Sequence, residues 1–162
     1  MMEEKHILTM LVENEPGVTA RITSLFAGRG YNIESICGAP TADPALSRIT
    51  ITTRTNPSQL EQIMKNIRRL VNVIKLRDMT GEAAVKRELA LICVQARPKH
   101  RTEILRIVDT FRAKVVDTGA EHYIIEVVGR EEKVNAMIKL LEPIGIKKLT
   151  RSGILALYRE PD

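Results

Sequence analysis

Asn14-Glu15-Pro16-Gly17-Val18 is the one stretch of this 162-residue sequence whose residue types and order suit it to hold a small anion; it lies between an apolar run ending at Glu13 and a helical pattern starting at Val18. A loop leading from a strand into a helix exposes the first helical amides, which have no intrahelical acceptor, and the helix dipole adds partial positive charge at the same place. Gly17 has no side chain to keep a ligand away from the amides of Gly17, Val18 and Thr19, and Pro16 stiffens the turn while removing one donor. A carboxylate fits there. Asn14 can donate its side-chain amide to that carboxylate or accept from a ligand ammonium. The same residue types also build ordinary turns, so the tetrapeptide alone leaves both readings open.

The remaining chemistry-bearing residues form no catalytic constellation. His6, His100 and His122 have no i, i+4 pairing and no acidic or cysteine companion at ligand spacing, and Cys37 and Cys93 are far apart without a CxxC pattern. Gly28-Arg29-Gly30 follows a helix, whereas a phosphate-binding loop must precede one, so it reads as a helix C-cap. Glu131-Glu132 and Glu3-Glu4 fall at a helix start and at the terminus, where the helix dipole and solvation explain them. No GxSxG, P-loop, HExxH or GxGxxG motif occurs. The expectation is a non-catalytic chain without a metal or cofactor of its own.

The formal charge of +5 is spread out: residues 1–79 carry ten basic and eight acidic side chains, residues 80–162 fifteen and twelve. Arg97, Lys99 and Arg101 with Lys147, Lys148 and Arg151 could form a basic patch, but no aromatic residues are interleaved to stack bases. No nucleic-acid partner is predicted. No apolar run approaches the roughly 20 residues that span a bilayer, and Met1 to Lys5 begins acidic, unlike a secretory leader. Two unpaired cysteines suit a reducing cytoplasm.

The elements that must position the loop follow from periodicity. His6 to Glu13 reads as a strand, and Val18, Ile22, Leu25 and Phe26 recur at helical spacing up to Gly28. Asn32 to Gly38 and Arg48 to Arg54 read as strands joined at Thr41 to Pro44. Asn56-Pro57 opens a second helix striped with Leu60, Ile63, Met64, Ile67 and Val71, and Asn72 to Met79 is the next strand. After a connection at Thr80 to Ala84 the order repeats. Leu89 to Ala96 is a strand, Ile104 to Phe111 a helix, Val115-Val116 and Tyr123 to Val128 two strands, Val134 to Leu141 a helix, and Ile154 to Tyr158 the closing strand. The chain is thus expected to be α+β, with two tandem ferredoxin-like βαββαβ domains over residues 1–79 and 87–162 and a linker over 80–86. Such a unit leaves sheet edges and one sheet face without cover, which predicts at least a homodimer.

With these elements in order, the chain resembles the small, regulatory subunits of acetolactate synthase, also called acetohydroxyacid synthase. The resemblance rests on Leu11 to Val18, Ala20-Arg21-Ile22, Leu25-Phe26, Arg29 to Ile36, Asp43-Pro44 and Leu46 to Thr50, and later on Leu70-Val71, Arg87-Glu88-Leu89, Phe111-Arg112-Ala113 and Arg151-Ser152-Gly153. It implies that the first domain is an ACT domain binding valine, or leucine or isoleucine, at a dimer interface. By that likeness the effector lies between Asn14, Glu15, Pro16, Gly17 and Val18 of one chain and Asn32 and Ile33 of the other. It further implies that the chain activates a separate catalytic subunit and makes it sensitive to feedback inhibition in branched-chain amino-acid biosynthesis. Thiamine diphosphate, magnesium and FAD belong to that partner, and Arg151-Ser152-Gly153 is the candidate contact with it. Thr19 and Cys37-Gly38 depart from the more apolar residues of the family pattern. The alternative is an ACT-type, amino-acid-responsive transcriptional or RNA-binding regulator.

Overall fold

A computed structural model describes residues 2–81 and 83–159, so Met1, Glu82 of the predicted connection and the last three residues lie outside the described ones. The described chain divides into two units, Met1–Val85 with Gly153–Asp162, and Lys86–Ser152.

In the first unit the predicted order appears as β1 (Glu4–Glu13), α1 (Val18–Ala27), β2 (Ile33–Pro40), β3 (Leu46–Thr55), α2 (Pro57–Ile67) and β4 (Val73–Asp78). The strands form an antiparallel sheet in the order β2-β3-β1-β4, with β2 and β4 at its edges. Strand side chains alternate between faces, so Leu8, Met10 and Val12 of β1 pack with Ile49 and Ile51 of β3 against Val18, Ile22 and Phe26 of α1 and Ile63 and Ile67 of α2. On the opposite face Thr9 and Thr50 share a buried hydroxyl hydrogen bond of 3.2 Å. The two helices start differently. Asn56 caps α2 through a reciprocal pair with Gln59, whereas α1 starts at Gly17 with no side-chain cap.

The second unit repeats the pattern with β5 (Ala84–Gln95), α3 (Arg101–Thr110), β6 (Lys114–Thr118), β7 (His122–Gly129), α4 (Glu131–Leu141) and β8 (Ile146–Arg151), the sheet running β6-β7-β5-β8. Ala90, Ile92 and Val94 of β5 and Ile125 and Val127 of β7 face Ile104, Val108, Val134, Met137 and Leu141 of the helices. Both units therefore have the predicted ferredoxin-like architecture.

Two details differ from expectation. Strand β5 starts at Ala84, inside the predicted 80–86 linker. The closing strand of the second unit is β8, not Ile154 to Tyr158. That later segment is a further strand, β9 (Leu155–Tyr158), which pairs with β5 and groups with the first unit. There Ile154, Ala156 and the half-buried Tyr158 join Ile7, Met79 and Ala84 in a small apolar cluster. The reason is compositional: β8 is an edge strand reading Ile-Lys-Lys-Leu-Thr-Arg, too polar and exposed to stand out, while the apolar run after it draws attention. Gly153, with φ +80, turns the chain between the two.

An ion pair to one buried carboxylate fixes the end of β8. Arg151 grips the Glu88 carboxylate bidentately at 2.8 and 2.7 Å, and Glu88 is only 4% exposed. The hydrogen bond to Glu88, then its charge, raises the Arg151 pKa further above the ordinary guanidinium value, against an opposing effect of burial. Removing one partner of such a pair strands the other without compensation. Arg151→Ala is expected to destabilise the second unit by about 3 kcal/mol in urea unfolding, the lower end of the range for broken buried pairs. A change below about 0.5 kcal/mol, the scale of an exposed pair, would contradict this assignment.

Candidate functional site

The loop between β1 and α1 is anchored from two sides. Asn14 donates its backbone amide to the Ala45 carbonyl at 2.8 Å and its side-chain Nδ2 to the Pro44 carbonyl at 2.9 Å, which ties the loop to the β2–β3 turn. One of the two Nδ2 hydrogens is thereby given to Pro44, and the second N–H and the Oδ1 acceptor of Asn14 both remain for a ligand. On the other side Glu13 donates its amide to the Asn72 carbonyl at 2.9 Å. The Asn72 side chain donates to Glu13 Oε2 at 2.7 Å and to Glu15 Oε2 at 3.5 Å, and accepts from Arg21 Nη1 at 2.6 Å. Asn72 and Arg21 thus brace the loop, a role that sequence reading missed because their partners lie more than fifty residues apart.

Gly17 has φ +88 and ψ −10, the left-handed conformation that side chains other than glycine adopt at a cost. That geometry turns the chain into α1 without a capping side chain. Arg21 donates to the Gly17 carbonyl at 3.0 Å as the first helical bond, and Val18 makes only a long 3.4 Å contact with the Glu15 carbonyl. Among the described residues the amides of Gly17, Thr19 and Ala20 have no acceptor. The helix therefore opens on a cluster of unsatisfied donors, whereas Asn56 fills the equivalent place on α2.

An open cleft of about 390 Å³ lies at the start of this helix, where Val18 and Thr19 line it. Val12, Val18, Ile36 and Ile49 form its apolar part, Glu13, Asn14, Glu15, Thr19 and Ser47 its polar part, and Gly38, Ala39 and Pro40 of β2 its outer wall. Its size is within the range of small-molecule sites. An apolar floor with open amides at one end and carboxylates and an amide oxygen beside them suits a zwitterion carrying an aliphatic side chain. Of the predicted residues, Asn14, Glu15 and Val18 line the cleft, while Pro16 and Gly17 shape the turn above it. The contribution of β2 and β3 was not identified from the sequence; the alternation of Ile36, Gly38 and Pro40 on one face of β2 is the signal that could have found it.

Asn32 and Ile33 do not meet this cleft within one chain. Ile33 pairs with Thr53, which pairs with His6, while Glu13 beside the loop lies seven residues further along β1. At roughly 3.3 Å per residue that is about 23 Å. The Asn32 carbonyl accepts from Thr53 Oγ1 at 2.6 Å, and Asn32 lines a separate hollow of about 320 Å³ with Arg29, Tyr31, Glu34 and Arg54. Ile33 is half-buried against the core. Arg151, Ser152 and Gly153 also have internal tasks. Arg151 holds Glu88, Ser152 accepts from and donates to the backbone of Leu89, and the Cα of Gly153 sits so close to Ser35 that a Cβ would come within 2.9 Å of its Cβ.

The three histidines do not line this cleft. Both ring nitrogens of the buried His6 are unpartnered among the described residues, His100 Nδ1 lies 3.8 Å from Glu103, and His122 Nε2 lies 3.0 Å from Asp117. Among the described residues no three His, Cys, Asp or Glu side chains converge as a metal site. No helix of the described residues is long and apolar enough to cross a membrane.

Two family models match this chain: that of the AHAS small subunit-like ACT domain over residues 8–75, and that of the small subunit of acetolactate synthase over residues 87–160. It is 48% identical to the acetolactate synthase small subunit of Aquifex aeolicus over 96% of this chain and 82% of that protein. Identity to the acetolactate synthase small subunit of Mycolicibacterium smegmatis is 44%, over 96% of this chain and 92% of that one. The crystal structure of the acetolactate synthase small subunit from Thermotoga maritima superposes with a TM-score of 0.87 at 38% identity, covering 98% of this chain and 99% of that one.

A side chain at Gly17 would meet no atom within 4 Å, so its backbone alone carries the cost of substitution. Gly17→Ala is expected to lower stability by about 1–2 kcal/mol, the usual cost of the left-handed conformation, in urea unfolding of the full chain. An unchanged unfolding midpoint would show that the turn does not need that conformation.

Proposed function

The chain belongs to the acetolactate synthase small-subunit family, and on that premise we propose that it is a non-catalytic regulatory subunit that senses a branched-chain amino acid at the head of α1. The carrying observation is that α1 opens with amides on Gly17, Thr19 and Ala20 that have no acceptor among the described residues, next to an apolar-floored cleft that Val18 and Thr19 line. The effector carboxylate takes these amides as its partners, aided by the helix dipole. Its ammonium lies toward Asn14 Oδ1 and the Glu15 carboxylate. Its aliphatic side chain enters among Val12, Val18, Ile36 and Ile49.

A second copy of the chain completes the site. Strand β2 is an edge strand and also the outer wall of the cleft. Unpaired edge strands invite pairing with an identical strand, and a two-fold axis makes that pairing antiparallel. With the axis at Ile36, Ile33 of the partner subunit falls opposite Ala39, and Asn32 of the partner subunit opposite Pro40. Both then come beside the β1–α1 loop, from which their own chain keeps them about 23 Å, by the strand rise used above. This arrangement supports assigning all seven predicted residues to one composite site.

The catalytic subunit is the second partner, and the thiamine diphosphate, magnesium and FAD chemistry is its own. The regulatory chain raises that subunit's activity, and the effector shifts the complex toward an inhibited arrangement. It can do so only by binding the two arrangements with different affinity, and a coupling of about 1–3 kcal/mol suffices.

Gly17→Asp places a carboxylate beside the amides that hold the effector carboxylate, and aspartate is among the residues that tolerate positive φ. Reconstituted with the catalytic subunit, this variant is expected to raise the valine concentration for half-inhibition at least about tenfold, a loss of roughly 1.4 kcal/mol, with activation kept within about twofold. Full valine sensitivity in that assay would remove the loop from the site.

A further inference from the structure

The cleft wall has a gap at Gly38. On β2 the register places Ile36 opposite Ile51 and Gly38 opposite Ile49, and both isoleucines belong to the core on the helix side. Ile36, Gly38 and Pro40 therefore share the face that looks into the cleft, and the central one of the three has no side chain. The backbone gives no reason for this. Gly38 does not have positive φ, so any residue can adopt its conformation. On its inner side the neighbouring strand β3 leaves little room: a Cβ built there meets the Cγ1 atom of Ile49 at 3.2 Å, closer than ordinary van der Waals contact, and the Arg48 carbonyl at 3.7 Å, so a side chain would need Ile49 to give by a few tenths of an ångström. Glycine inside a strand weakens it and marks a place where something approaches closely. Here Ile49 of β3 approaches from within the sheet, and the open side of Gly38 faces the cleft.

We propose that Gly38 sets the depth of the effector cleft and that the recess it leaves, floored by Ile49 and walled by Ile36 and Pro40, receives the end of a four-carbon aliphatic side chain. Leucine and isoleucine are then held more tightly than valine, whose shorter side chain leaves the recess unfilled. This rests on reading the cleft as an amino-acid site, and deepens that reading by naming the residue that selects among effectors. In an apolar pocket one methylene changes affinity by about 10- to 200-fold, so filling the recess is enough to set the order.

The test is calorimetric titration of the full-length chain and of Gly38→Ala and Gly38→Val with L-alanine, L-2-aminobutyrate, L-valine, L-leucine and L-isoleucine, with the sedimentation profile recorded for each variant. The unsubstituted chain is expected to bind leucine and isoleucine about tenfold more tightly than valine, the lower end of that range. Gly38→Val is expected to weaken both at least tenfold while changing valine less than threefold, which removes or reverses the preference. Gly38→Ala, which asks Ile49 to give only a few tenths of an ångström, is expected to fall between and decides the matter if the valine variant does not fold. An order of affinities unchanged by both substitutions overturns the recess assignment and leaves the amino-acid site standing. Unchanged selectivity with a weakened dimer assigns the recess to a side chain of the second copy and overturns it as well. Binding of none of the five amino acids overturns the proposed function and this inference together.

Discussion

Everything at the candidate site depends on how α1 begins. A helix must leave its first amides without intrahelical partners, and most helices satisfy them with a capping side chain. In this chain α2 does so with Asn56, while α1 starts from Gly17 in the left-handed conformation and leaves the amides of Gly17, Thr19 and Ala20 without an acceptor among the described residues. Left to water, those donors would be unremarkable. They matter because Asn14, anchored to Pro44 and Ala45, and the Arg21–Asn72–Glu13 network hold the turn rigidly above an apolar floor. The loop has few degrees of freedom left to lose when a ligand arrives, so more of the interaction energy remains as affinity.

Strand β2 gives that loop its wider consequence. One face of it closes the cleft through Ile36, Gly38 and Pro40, and as an edge strand it offers unpaired backbone groups along its length. In the proposed function, ligand binding and pairing between chains draw on the same strand, Ile33–Pro40. A site built across such a pairing makes assembly and effector binding reciprocal, since each must favour the other by the same factor. The proposed part of Asn32 and Ile33 in the site depends on such a pairing, because in their own chain Ile33 lies level with Thr53, away from the β1–α1 loop.

Much of the fold was legible in the sequence because its signals are local. The alternation of Ile49 and Ile51 with Thr50 and Thr52, the stripe from Leu60 to Ile67 and the Asn56-Pro57 start each arise within a few residues and reappear as β3, α2 and a reciprocal cap. The Asn14–Val18 turn was legible for the same reason. What sequence reading missed is non-local or lacks hydrophobic contrast. Strand β8 is polar because it lies at an edge, so the apolar run after it was taken for the closing strand. The Glu88–Arg151 pair joins residues 63 positions apart, and the donation from Asn14 to Pro44 spans 30, so neither leaves a periodic trace. Asn32 and Ile33 were nominated by family likeness, and no property of one folded chain brings them to the loop.

The central claim is that the effector site is shared between two chains, and sedimentation equilibrium of the isolated protein tests it most directly. Over a dilution series spanning the monomer–dimer transition, saturating valine should lower the dimer dissociation constant at least about tenfold, because a ligand that binds only the assembled state stabilises it by mass action. A dissociation constant indifferent to valine, in a protein shown to bind valine as a monomer with equal affinity, would contradict the shared site.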